Sequence, residues 1–216
     1  MALATLSGQP VVACRVSFPR VGAWAADVIT DSAVPLAGRV TLQLDGATLQ
    51  GFVRRGGVKD DAGAYRLVGG AGGLSKLARA QAFNNVQARL VATTVLADAG
   101  EALSPLSDAG LLSRFFASWV TLQLPAGSAL STLAVALDAV WRVLPDGTVW
   151  LGTETWPTSP VPASVAISSD VRLGTVELAT DGALVLPGTV FDGERIEYAE
   201  YRLTGQGFSG KAWVSE

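Results

Sequence analysis

The chain reads as a mainly β protein with a helical segment, of the α+β class, and three features say so. Short β-favouring runs separated by turn signals fill the first seventy residues. The apolar period then changes to that of a helix, in 74–100 and again in 128–141. After residue 158 the β-type runs return. With 216 residues there is ample chain for a real core. The expected division is an N-terminal β-barrel or sandwich over 1–72, a helical connector carrying a strand and a β-hairpin over 73–157, and a C-terminal β subdomain over 158–216.

In the first region "VVACRVSF" places Val12, Cys14, Val16 and Phe18 on one side, and "PRVG" turns into "AWAADVIT". "RVTLQLDG" alternates cleanly, with Val40, Leu42 and Leu44 opposite Thr41, Gln43 and Asp45, as a half-buried strand does. Two more strands flank the turn "KDDAG". The connector predicts a short helical piece at "LSKLARA" and a longer helix with Val86, Leu90, Val91, Thr94 and Val95 on one face, closed by Gly100. "ASWVTLQL" is a strand with Val120, Leu122 and Leu124 on one side. A second helix, capped by Ser128, carries Leu130, Leu133, Leu137 and Val140. It runs into a hairpin around Pro145-Asp146-Gly147, which places Trp141 and Trp150 on opposite arms and near each other. "TSPVPAS" is a linking segment. "SVAIS", "VRLGTVEL", "ALVLPGTVF", "RIEYAEYRL" and "GKAWVSE" are strands, and the phase slip near Ala199-Glu200 predicts a β-bulge.

Composition narrows the function classes. Charged residues are only 16% of the chain, against roughly 25% in an ordinary soluble protein. No run reaches the ~20 apolar residues of a spanning helix, so the low charge points to surface covered by other subunits. Net charge is −3 and no cationic cluster exceeds Arg54-Arg55, so the sequence displays no nucleic-acid surface. There is no histidine, which excludes Ser-His-Asp and Cys-His nucleophile systems and His-bearing zinc sites. The single cysteine, Cys14, reads as a buried structural thiol. The first ten residues lack the pattern of a secretory signal, and folding in a reducing cytoplasm is the expectation.

One stretch looks like phosphate chemistry. In "YRLVGGAGGLSK" a β-type run enters Gly69, Gly70, Gly72 and Gly73 and then Leu74-Ser75-Lys76. The lysine is misplaced for a Walker loop, and the dinucleotide fingerprint fails at its third glycine. A tight passage from the last barrel strand into the connector, with at least one glycine at positive φ and no phosphate, is the preferred reading. Carboxylates are dense only around Asp192, Glu194, Glu197 and Glu200, where Arg195 and Arg202 accompany them. A glycan hydrolase needs two carboxylates across a cleft, so this class stays open as an alternative. "GLSKL" reverses the spacing of a Ser-Lys dyad, and "DDAGAYRL" lacks the pattern of a calcium loop. Trp119, Trp141, Trp150 and Trp156 are candidate core or subunit-interface aromatics, with a carbohydrate or receptor platform as the alternative.

Three stretches, "LARAQAFNNVQARLVATTVLADAGEALS", "ALSTLAVALDAVWRVLPDGTVWLG" and "LVLPGTVFDGERIEYAEYRL", are similar to the hub proteins at the tail tip of long-tailed and contractile phages, including the late control protein D family. With the N-terminal strands, the resemblance spans most of residues 10–205. It implies two small β-barrel-like subdomains bridged by helices, the C-terminal one completing the second barrel. It further implies a ring, with a trimer favoured, that joins the tail tube to the spike or baseplate. The partners it implies are other copies of the chain and those tail proteins, with DNA only in transit and no membrane insertion. The location is the tail tip of a virion assembled in the host cytoplasm. Neither catalytic residues, nor a cofactor, nor a metal site is expected.

Overall fold

A computed structural model describes residues 4–44, 46–163, 166–170, 174–179, 183–205 and 207–215. Parts of the expected strands "SVAIS" (164–165), "VRLGTVEL" (171–173) and "GKAWVSE" (216), together with Asp45 and Ser164 of "TSPVPAS", lie outside the described residues.

The N-terminal strands are β1 (Ala4–Leu6), β2 (Gln9–Pro19), β3 (Ala25–Thr30), β4 (Arg39–Leu44), β5 (Ala47–Lys59) and β6 (Ala62–Gly69). They run in the order β1-β4-β5-β6-β3-β2, and β1 pairs back onto β2, so the antiparallel ring is closed. Closure removes exposed strand edges. Val40, Leu42 and Leu44 point inward, as their alternation predicts. On β2 the inward set is Val11, Cys14, Val16 and Phe18, while Val12 is 54% exposed. A register shift between Val11 and Ala13 against β3 explains the departure, because one extra residue reverses the alternation upstream of it. β1 is too short to show a period and exists only through its two partners. Asp60 and Asp61 both take positive φ, the geometry of a tight two-residue hairpin turn. Inside the barrel Trp24 is 1% exposed and fills the space left by two strand glycines. A Cβ on Gly51 or Gly69 would lie 2.7 Å or 2.6 Å from its ring.

The connector differs from expectation at its start. Residues 74–80 are turn and extended chain, and 81–87 form β7 (Gln81–Gln87), which pairs with β8 (Phe115–Thr121). Helix α1 spans only Ala88–Ala99. Its buried stripe is Ala88, Val91, Ala92, Val95, Leu96 and Ala99, whereas Leu90 is exposed and Val86 is buried from the strand. The strand partner lies about one helix and one loop away in sequence, so no local period reports it. Gly100 ends α1 in the left-handed conformation, as expected. A short α2 (Ala109–Leu112), begun by Asp108 accepting from the Leu111 N–H, precedes β8. Helix α3 (Ala126–Leu137) buries Leu130, Leu133 and Leu137 against α1. It begins after Pro125, so Ser128 is inside the helix and not its cap. Asp138 at φ 54° ends it, and Val140 already belongs to β9 (Val140–Val143), which pairs with β10 (Val149–Gly152).

The C-terminal strands are β11 (Ala166–Asp170), β12 (Thr175–Leu178), β13 (Val190–Phe191), β14 (Glu194–Thr204) and β15 (Gly207–Ser215). One edge of β2 pairs with β3; the other pairs with β1 at Gln9 and Pro10, then with β14 from Cys14 to Pro19. The barrel sheet therefore continues outward as β2-β14-β15-β12-β11. β14 carries the expected irregularity, placed between Ile196 and Tyr198 instead of at Ala199-Glu200. Beneath it Tyr201 is fully buried, accepting from the Val185 N–H at 2.6 Å and donating to the Val185 carbonyl at 2.8 Å.

Candidate functional site: the junction and the exposed apolar ribbon

The glycine loop is filled from within the chain. Gly70 and Gly72 take φ of 82° and 76°, which turns the backbone N–H groups of the loop toward one point. The carboxylate of Glu101 occupies that point. Its Oε2 accepts from Ala71 N and its Oε1 from Gly73 N, each at 2.7 Å. Glu101 follows Gly100 at the end of α1 and is 8% exposed. The anion in this cradle is the protein's own side chain, and it ties the last barrel strand to the connector.

A second charged cluster joins three parts of the fold. Arg20, just past β2, binds Glu197 on β14 and, at 2.7 Å, Glu154 in the segment after β10. Arg142 on β9 binds the other Glu154 oxygen. The Glu154 side chain is 6% exposed and faces both guanidinium groups. Gly188, at φ 82° in the Pro-Gly loop, lets that loop approach Arg142 where any Cβ would collide with the guanidinium. Two tryptophans cover these cations. Arg142 lies 4.5 Å from the Trp150 ring centre, and Trp156 has Arg20 at 5.8 Å and Arg195 at 5.5 Å. Trp156 holds φ 50°, a strained conformation for a bulky residue.

Trp141 and Trp150 do not meet. Trp141 is opposite Leu151 in the hairpin and Trp150 is opposite Arg142, so their side chains leave by opposite faces. Trp141 is buried and donates to Ser131 Oγ at 3.0 Å, whereas Trp150 is half-buried and donates to the Leu106 carbonyl at 3.0 Å. A strand reverses its face at every residue, and the register puts the two tryptophans one step apart. Trp119 is half-buried on the β7–β8 ribbon, 4.7 Å from Phe116.

Of the acidic residues around β14, Glu197 and Glu200 serve as ion-pair partners. Burial disfavours the charged form of Glu200, but hydrogen bonds from Arg15 and Arg202 outweigh it and hold the carboxyl below its usual range. A general acid for glycan cleavage needs the opposite shift. Glu197 is held by Arg20, Asp192 sits in the turn before β14 at φ 50°, and Glu194 opens that strand. Among the described residues no group of His, Cys, Asp and Glu is arranged to hold a metal ion.

The surface feature that stands out is apolar. Val120, Leu122 and Leu124 recur at alternate positions and are 57%, 60% and 37% exposed. Leu77, bridged to Pro125 beside them, is 58% exposed. The expected strand ends at Thr121, and the chain bends over 122–124, where the Leu124 N–H donates to the Leu122 carbonyl at 2.8 Å. The exposure of Leu122 and Leu124 therefore comes from the turn and not from strand alternation.

No protein-family model and no curated protein matches this chain. Its fold does match solved structures. The 43 kDa tail protein of prophage MuSo2 from Shewanella oneidensis superposes with a TM-score of 0.75 at 11% identity, over 98% of this chain and 96% of that one. The tail protein from Neisseria meningitidis MC58 gives 0.67 at 12% identity, over 99% and 96%. The E. coli c3393 protein gives 0.65 at 10% identity, over 99% and 77%; it is described as a type VI secretion system component with structural similarity to the T4 bacteriophage tail proteins gp27 and gp5. This chain has a phage tail-protein fold. Within that fold, Arg20, Arg142 and Glu154, which sequence reasoning did not single out, occupy the junction. Glu101, legible in the sequence only as a carboxylate beside a helix end, fills the loop. The partners of these residues are 28 or more residues away except in the Arg142–Glu154 pair, 12 apart, and a lone charge in a loop gives no local signal.

Proposed function

We propose that this chain is a structural component of a phage or phage-like tail tip, a hub ring that joins the tail tube to the spike or baseplate. The observation that carries the reading is the exposed stripe of Val120, Leu122, Leu124 and Leu77 on a chain with a tail-protein fold. Leaving four large apolar side chains in water on one ribbon is unfavourable, at about 25 cal/mol per Å² of apolar surface, and covering them on assembly reverses that cost. A ring of identical subunits, a trimer by the family resemblance, supplies the cover. Trp119, Trp150 and Trp156, half-buried beside the ribbon and the junction, are proposed to stiffen the surfaces that neighbours meet. The units 1–72, 73–157 and 158–216 act as barrel, connector and second β subdomain of each ring member. The chain acts without catalysis, in the virion, after assembly in the host cytoplasm. Mass measurement in solution, alone and with tube and spike proteins of the same particle, tests the reading. A defined closed oligomer that captures those proteins is expected; a strict monomer that never associates with them refutes it.

A further inference from the structure

Arginines far apart in sequence meet at one level of the sheet. Arg202 on β14 is paired with Arg15 on β2, Arg15 with Asp27 on β3, Asp27 with Arg66 on β6, and Arg66 with Arg55 on β5. Directly paired residues share a face, so these five form one row on the outside of the barrel, roughly 19 Å long at the usual strand spacing. The row contains two like-charge pairs, Arg202 with Arg15 and Arg66 with Arg55. Like charges directly opposed destabilise a sheet; Glu200 bridges the first pair, so it is Arg55 opposite Arg66 that the ion pairs of the fold do not account for. Glu200 takes Arg15 and Arg202, and Asp27 takes Arg66, while Arg55 has no carboxylate partner among the described residues. Four arginines against two carboxylates leave two positive charges here, in a chain whose net charge is −3. The next row along the strands on this face includes Ala13, Ile29 and Ala64, which together with the charged row line an open groove of about 580 Å³.

We propose that this row touches the phosphate backbone of DNA, loosely and without regard to base sequence; that DNA comes near the chain rests on the tail-tip role proposed above. Guanidinium forks match phosphate oxygens in pairs, and the row is built of arginine without lysine. An acidic peptide suits the groove less well. The backbone groups of these central strands are committed to their ladders, so a peptide lying across them would leave its own N–H and C=O groups unpaired against Ile29 and the alanines. A phosphodiester backbone presents only acceptors and meets donors. Glu200 and Asp27 keep the grip weak, which lets a polymer move on.

The test uses the full chain and a fluorescently labelled DNA duplex, followed by anisotropy at about 50 mM salt and above. Wild type is expected to bind weakly, with affinity falling steeply with salt. Arg55→Gln and Arg202→Gln should each lower the log–log salt slope by about 0.9, and the double charge reversal Arg55→Glu/Arg202→Glu should abolish binding. Arg55 is exposed and makes no ion pair among the described residues, so Arg55→Gln is expected to melt like wild type. Arg202 holds the buried Glu200 and its variants are expected to melt lower, so their binding is measured at a temperature where circular dichroism shows them folded. Wild type that ignores DNA overturns the proposal. So does a folded reversal variant that binds normally, or polyglutamate that binds through the row while DNA does not. Oligomer mass measured on the same samples keeps the two readings apart. A monomer that binds DNA through the row removes the ring and leaves the contact, and a ring indifferent to DNA does the reverse.

Discussion

Glu101 Oε1 lies 2.7 Å from the backbone nitrogen of Gly73, and the other oxygen of the same carboxylate lies 2.7 Å from that of Ala71. The end of helix α1 is thereby clamped to the loop leaving β6. Replacing Glu101 by alanine leaves two N–H donors without their acceptor, at ~1–3 kcal/mol for each buried donor. Chemical denaturation of Glu101→Ala should show a loss of about 3 kcal/mol, and Glu101→Gln, which keeps one acceptor oxygen, a smaller loss.

The same loop gives a paired test of glycine. A Cβ on Gly73 would overlap the Ala99 carbonyl, which is backbone and cannot step aside, so Gly73→Ala should fail to fold or lose several kcal/mol. Gly57 on β5 has nothing within 4 Å of its Cβ position. Gly57→Ala should be neutral or stabilising by roughly 0.5 kcal/mol in the same denaturation experiment.

At the junction, Glu154→Gln keeps shape and removes the charge shared by Arg20 and Arg142. Breaking a fully buried pair costs ~3–5 kcal/mol, but Arg20 retains 30% exposure, so about 2 kcal/mol is expected. Because Arg20 also holds Glu197, hydrogen exchange should rise in β9 and in the β13–β14 turn before it rises in the barrel.

On the ribbon, Leu122→Glu puts a charge on a side chain that is 60% exposed in the isolated chain. The melting temperature should stay within a few degrees of wild type while the oligomer mass collapses to that of the monomer. A variant that assembles normally would show that this stripe is not the subunit contact.

Alkali should loosen the fold in a defined window. Burial pushes the Cys14 thiol from 9.0 up to about 11, partly offset by a hydrogen bond with the Leu203 backbone, and burial also raises the Tyr201 phenol. In the unfolded chain the thiol ionises above about pH 9, while the folded chain keeps it neutral to about 11. The unfolded state therefore sheds its proton first. This contribution is full below pH 9 and is lost as pH rises toward 11. Cys14→Ala should flatten the fall in melting temperature across that range, and a thiol reagent should label wild type only as it unfolds.

How much was legible follows from where the information resides. Alternation and turn chemistry over a few residues gave Val40, Leu42 and Leu44 their shared face, gave Asp60-Asp61 and Pro145-Asp146-Gly147 their turns, and gave Gly100 its place at the end of α1. They failed where one inserted residue reverses a phase, as at Val12, and where a distant strand overrides helix propensity, as at β7. They also failed where register, not composition, chooses a face, as for Trp141 and Trp150.

The sequence by itself determined the class: a mainly β chain with a helical insert, poor in charge and without histidine, because composition and short periods are properties of neighbouring residues. Only the tertiary structure decided that β2 both closes the barrel and carries its sheet outward to β14, and that Glu101 fills the glycine cradle. It also decided that Val120, Leu122 and Leu124 face outward, and that Arg15, Arg55, Arg66 and Arg202 stand in one row. Each of these is a relation between residues brought together by strand pairing across long sequence separations, and pairing is fixed by the closure and burial of the whole sheet.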